Sequence, residues 1–243
     1  MLVPLLMAMF GVFAASVLRG FTGFGFGLSA VPLLSLVLPP HKVVPFVTLL
    51  QVLVGLPGLR SAWRIADLRA VLGLGPGLVL GVPIGLVVLI EVPPNGVRLA
   101  IGLLIMLSVV GLWRRVRLPP HPSRGVTLAA GLVSGVMNGL GSMGGAPVVV
   151  YLLALSHEAA VVRASSIVYF LFAAIVTAIP MAARGLVDRE VLLWSAAAIP
   201  VLLVGSAVGN WAFGRAGPGY HRLTALVVLS VLAAALIGRS LAG

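Results

Sequence analysis

Six stretches of this chain, near residues 43–59, 70–90, 97–113, 161–181, 190–210 and 222–240, run almost without charge between short clusters of charged residues. Each is close to the roughly 20 residues that a helix needs to cross about 30 Å of hydrocarbon. Arg60, Arg64, Asp67 and Arg69 separate the first two stretches. Arg114, Arg115, Arg117 and Arg124 follow the third, and Arg184, Asp188 and Arg189 lie between the fourth and fifth, with Glu190 at the start of the fifth. Two longer apolar stretches, 2–38 and 126–155, exceed what one straight crossing requires. A soluble core of this kind could not be coated: only 9% of the 243 residues are charged and 60% are hydrophobic, against about 25% charged in a soluble domain. Lipid tails solvate apolar side chains directly, and helices satisfy their own backbone groups where no water is present. The chain is therefore read as an all-α integral membrane protein, one polytopic domain over 1–243.

The formal net charge of +11 does not point to nucleic acid. The basic residues sit at the ends of apolar stretches, where cytoplasmic loops of membrane proteins concentrate Lys and Arg, and no basic face interleaves with aromatics. Trp63, Trp113 and Trp211 fall near span ends, as an aromatic belt at the membrane interface places them. The chain has no cysteine, which excludes disulfide and thiol chemistry. No basic residue precedes Arg19, so the first apolar stretch is read as part of the mature protein and not as a secretory signal.

The two halves resemble each other. Gly23-Phe24-Gly25 and Pro32 match Gly139-Leu140-Gly141 and Pro147. His41 pairs with His157, and Asp67 with Asp188. Pro76, Gly81, Gly85 and Arg98-Leu99 pair at one common offset with Pro200, Gly205, Gly209 and Arg222-Leu223. The first repeat is 1–118 and the second 126–243, joined by the basic loop 114–125. Each repeat is then one glycine-rich segment followed by three transmembrane helices.

The glycine-rich segments invite a break, because glycine inside a helix costs about 1 kcal/mol relative to alanine. The second carries Gly131, Gly135, Gly139, Gly141, Gly144 and Gly145, and the first reads Gly-Phe-Thr-Gly-Phe-Gly-Phe-Gly over 20–27. Paired interruptions in corresponding places of two halves point to the binding site of a transporter. A segment that crosses once makes the repeats parallel; one that turns back makes them inverted. The positive-inside count gives the same excess of Lys and Arg for both arrangements. The inverted one is preferred, because a hairpin plus three spans accounts for the glycines.

The apolar interior is poor in chemistry. Gly73, Gly77, Gly81 and Gly85 recur every fourth residue, a spacing for close helix packing, as do Gly205 and Gly209. Gly25-Phe-Gly-Leu-Ser-Ala30 satisfies the letter of a dinucleotide fingerprint, but no acid follows before Asp67. Gly141-Ser142-Met143-Gly144 lacks the first glycine of a nucleophile turn. An intramembrane hydrolase is thus a weak rival, and a scaffold without transport a second. All five acids, Asp67, Glu91, Glu158, Asp188 and Glu190, fall at or beyond span ends, whereas cation pathways place carboxylates inside the bundle. The interior polar residues are Thr22, Thr48, Gln51, Ser134, Asn138, Ser142, Ser165, Ser166 and Thr177, with Arg19 and Arg163 near the edges. Hydroxyls, amides and exposed N–H groups are donors, and half-helix N-termini favour negative charge. The candidate substrate-binding set is Thr22, Gly23, Gly25, Gln51, Asn138, Gly139, Gly141, Ser142, Ser165 and Ser166. No catalytic residue, cofactor or metal is expected.

The chain as a whole resembles the TauE/SafE sulfite exporter family, also called the TSUP transporters. The residues that carry the resemblance are the run Gly20-Phe-Thr-Gly-Phe-Gly-Phe-Gly27 closed by Pro32, and Gly135-Val-Met-Asn-Gly-Leu-Gly-Ser-Met-Gly-Gly145 closed by Pro147. Ala164-Ser165-Ser166 is similar to the family's small-hydroxyl motif, which often reads Gly-Thr-Ser. The resemblance implies a secondary transporter, not an enzyme, that moves sulfite, a sulfonate such as sulfoacetate, thiosulfate or a similar small organic anion across the cytoplasmic membrane. Its expected partners are that anion and the lipid bilayer, with no nucleic acid; a homodimer is one assembly open to it.

Overall fold

A computed structural model describes residues 2–22, 25–56, 58–113, 122–155, 158–213, 215 and 220–241. Among them there are helices and no strands. In order these are α1 (Leu2–Thr22), α2 (Phe26–Ser35), α3 (Pro40–Gly55), α4 (Leu59–Ile65), α5 (Leu68–Glu91), α6 (Pro94–Trp113), α7 (Arg124–Gly141), α8 (Gly145–Leu155), α9 (Ala159–Ala183), α10 (Arg189–Phe213) and α11 (Tyr220–Leu241). Local chemistry sets several starts. Pro40 occupies the first turn of α3, after an extended Pro39, where its missing N–H costs nothing. Asp67 caps α5 by accepting from the Ala70 N–H at 3.0 Å. Ser123 caps α7, and Asp188 accepts from the Val191 N–H at 2.7 Å at the start of α10.

The six ordinary stretches appear as α3, α5, α6, α9, α10 and α11, and the two long ones each fold as a helix pair, α1–α2 and α7–α8. The stretch near 43–59 starts earlier, at Pro40, and ends at Gly55; beyond Gly58, whose φ is 81°, the chain continues as the short α4. Among the described residues, Leu68–Glu91, Ala160–Ala183 and Arg189–Gly209 are long and apolar enough to cross a membrane unaided, and Leu5–Gly20, Phe26–Ser35, Pro94–Val110 and Val227–Leu241 are apolar but shorter. Leu72, Leu80, Leu107, Ile179 and Val231 stand exposed on the outside, as lipid contact allows. Trp63, Trp113 and Trp211 are exposed near helix ends. The chain is a multi-pass membrane protein.

The halves interleave. α5 of the first packs on α7 of the second, and α1 of the first on α10 of the second. Along α5, a Cβ at Gly77, Gly81 or Gly85 would run into the backbone of α7 at 128–140, in rising order, so the two helices lie parallel with backbones touching. Gly131, Gly135 and Gly139 return the contact against Leu74, Leu78 and Val82. These three glycines therefore do not break α7, which continues to Gly141; they let it approach α5.

The corresponding helices of the two halves run antiparallel. Thr48 of α3 meets Met181 of α9, Gly55 meets Leu171, and beyond α4 the Asp67 N–H reaches Ser165. On α6 and α11, Asn95 meets Ser240 and Gly102 meets Ile237 and Ala233. Inverted repeats call for this arrangement, whereas parallel repeats would align the same helices.

Candidate functional site

The break in the second half is a closed turn. The Ser142 N–H donates to the Asn138 carbonyl at 2.8 Å, the bond that closes a helix at a left-handed residue, and the Met143 N–H donates to the Met137 carbonyl at 3.2 Å. That residue is Ser142, with φ 51°, and it is the only non-glycine residue with positive φ among those described. A left-handed conformation costs a side-chain-bearing residue about 1–2 kcal/mol, so the surroundings must hold it. They do so through buried hydrogen bonds. Ser134 Oγ donates to the Gly144 carbonyl at 2.7 Å, Tyr169 Oη donates to Ser134 Oγ at 2.9 Å, and the Gly144 N–H approaches Asn138 Oδ1 at 3.4 Å.

The break in the first half leads into α2 through Gly25, whose φ is 87° and which has no side chain to cap the helix. Phe26, Gly27 and Leu28 are all buried. The first N–H groups of any helix lack an intrahelical partner, and here they open inside the protein.

The two breaks meet. A Cβ at Gly27 would overlap the Ser142 carbonyl and the Gln51 amide, so glycine is what lets α2 touch the turn after α7. Gln51 Nε2 donates to that same Ser142 carbonyl at 2.7 Å. Thr48, one turn earlier on α3, has its hydroxyl hydrogen-bonded to the Ser142 hydroxyl and lies 3.7 Å from Met181 Sδ. The polar groups that converge are hydroxyls, an amide and backbone, none of them charged. Such a set hydrogen-bonds an anion and offers a metal cation no carboxylate. A separate open cleft, about 460 Å³ and lined by His41, Glu91 and neighbouring prolines, includes none of these residues.

The family model for the sulfite exporter TauE/SafE matches residues 7–236, which takes in both breaks and all but the ends of the chain. This chain belongs to the TauE/SafE family. No curated protein and no solved structure matches it.

In this TauE/SafE protein the candidate residues separate by position. Gly25, Gln51 and Ser142 stand at the meeting of the breaks. Asn138 is 4% exposed and turns its amide to Gly144 and Ser134, bracing the turn. Gly139 faces Val82 and Gly85 of α5, and Gly141 faces Met143 and Ile101. Ser165 accepts from the Asp67 N–H at 2.8 Å and so ties α9 to the start of α5. Ser166 donates to Val162 of its own helix. The Thr22 side chain and Gly23 lie outside the described residues. Gly27 and Thr48 join the site from beyond the candidate set. Thr48 is visible in the sequence as an interior hydroxyl three residues from Gln51, a spacing that puts both on one helix face. Gly27 has no signal apart from its neighbouring glycines.

Proposed function

We propose that this protein is a secondary transporter that carries a small sulfur-containing or organic anion, such as sulfite, a sulfonate or thiosulfate, across the cytoplasmic membrane, and that it is not an enzyme. The observation that carries the reading is the contact of the two helix breaks at Gly27 and Ser142, with Thr48 and Gln51 beside them. An anion at that point replaces lost hydration with charge-assisted hydrogen bonds, each worth about 1.5–3 kcal/mol. A bare cation finds no buried carboxylate there among the described residues. Irregular backbone at membrane depth is tolerated where it lines a cavity or is buried in protein, which agrees with a pathway at the breaks. Membership of a sulfite exporter family favours sulfite as the first substrate to test.

The test is flux in vesicles containing the purified protein. Sulfite or a sulfonate should move saturably, and monovalent metal cations offered alone should not. A Thr48→Val, Ser142→Ala double variant should bind the anion at least tenfold more weakly, by roughly one lost charge-assisted bond. Saturable cation uptake without any anion would overturn the reading.

A further inference from the structure

The short helix α4 packs on α9 and buries only Ala62. Arg60, Ser61, Trp63, Arg64 and Ile65 are all exposed. Arg60 and Arg64 are one turn apart, which sets their Cβ atoms about 5–6 Å from each other on one face. Among the described residues neither guanidinium has an ion-pair partner, and α4 carries no acid of its own. The next acid along the chain, Asp67, is engaged in capping α5. Apolar groups stand beside the two cations: Leu56, Trp63 and Ile65 are each more than half exposed.

The direction of α4 places this mixture. Gly58, with φ 81°, precedes it, and the axis of α4 departs by 73° from that of α3. α3 is one of the apolar helices of the bundle, so α4 leaves it close to the plane of the bilayer surface. Within the width of one helix that surface offers phosphate groups and, just below them, the acyl-chain boundary. Arginine stems reach up to the first, and indole and aliphatic side chains settle into the second. A free phosphate answers only the arginines. A zwitterionic lipid carries the same phosphate, but its own ammonium group offsets the charge. An anionic lipid answers both the arginines and the apolar residues.

We propose that α4 is a docking surface for an anionic phospholipid, with Arg60 and Arg64 clamping one headgroup phosphate and Trp63 and Ile65 set into the acyl-chain boundary beside it. Docking anchors the end of α3, the helix that carries Thr48 and Gln51. The inference rests on the chain being a membrane protein and not on the transport reading.

The test follows the melting temperature of the purified protein in detergent micelles as phosphatidylglycerol or phosphatidylcholine is added. Phosphatidylglycerol should stabilise the parent, less so at high salt, and phosphatidylcholine should do little. Arg60→Gln together with Arg64→Gln should require about tenfold more phosphatidylglycerol for the same shift. Without lipid that variant should melt like the parent, because both side chains are exposed and exposed substitutions of this kind change stability little. Arg69→Gln together with Arg124→Gln removes the same charge at the same end of the molecule, from the first turns of α5 and α7, and should respond like the parent. Glycerol phosphate, which has no acyl chains, should give no shift at the same concentrations. An α4 variant that responds like the parent, a control that loses as much, or an equal response to phosphatidylcholine overturns the inference. A full response to glycerol phosphate overturns it in favour of a soluble phosphate site. A parent that ignores phosphatidylglycerol ends the proposal and leaves α4 to an acidic soluble partner.

Discussion

Ser142 combines a strained backbone, a hydroxyl shared with Thr48 and a carbonyl held by Gln51, and substitutions can separate these. Ser142→Gly removes the left-handed penalty of about 1 kcal/mol along with the hydroxyl. Melting temperature should hold or rise while anion affinity falls about tenfold. Ser142→Ala keeps the strain and loses the hydroxyl, so both quantities should fall. Asn138→Leu differs in kind. It leaves the buried Gly144 N–H without an acceptor, at a cost of about 1–3 kcal/mol, and a thermal melt should show that loss before any ligand is added. The sequence marks Asn138 as a polar residue inside a broken segment but cannot say which way its amide points. The nearest unmet donor, Gly144, lies only six residues on, and a local partner wins over a distant one. Ser165 is obscured for the opposite reason: its partner, Asp67, comes from another helix.

Glycine has two uses in the second half, and composition alone does not tell them apart. Gly73, Gly77, Gly81 and Gly85 are legible as a packing stripe because they share one helix face. Gly131, Gly135 and Gly139 have the same spacing, yet beside Gly141, Gly144 and Gly145 they read as signs of a break. The break itself needs only the left-handed Ser142 and the turn after it. Gly135→Ala sets a Cβ against Leu78 and the Cα of Gly81, where backbone cannot yield as a side chain does. Overpacking of this sort costs about 1–3 kcal/mol or more, so folded yield and melting temperature should both drop. Gly238→Ala meets nothing within 4 Å on α11 and should stabilise by roughly 1 kcal/mol. Equal melting temperatures for the two variants would refute the glycine contact between α5 and α7.

Charge bias cannot choose between parallel and inverted repeats, because the basic residues balance equally in both. Contacts between distant residues, Thr48 with Met181 and Asn95 with Ser240, decide it, and no local pattern encodes them. The Asp67–Ser165 bond and the parallel contact of α5 with α7 put Ser61, Ser123 and the start of α9 at one end of the molecule and Arg184 at the other. In this cysteine-free chain, Ser61→Cys and Ser123→Cys should label from the cytoplasmic side and Arg184→Cys from outside. Labelling of Ser61→Cys and Ser123→Cys from opposite sides would contradict the fold. The pairing of α1 with α10 also has a consequence in time. α1 leaves the ribosome before α10, which begins at Arg189; at about 5–20 residues per second, roughly 10–30 s of synthesis separate them. Throughout that interval the face of α1 carrying Ser16, which ends up against Gly205, must wait in the bilayer without its partner. A helix made well before its partner is thus among the last to be locked in place.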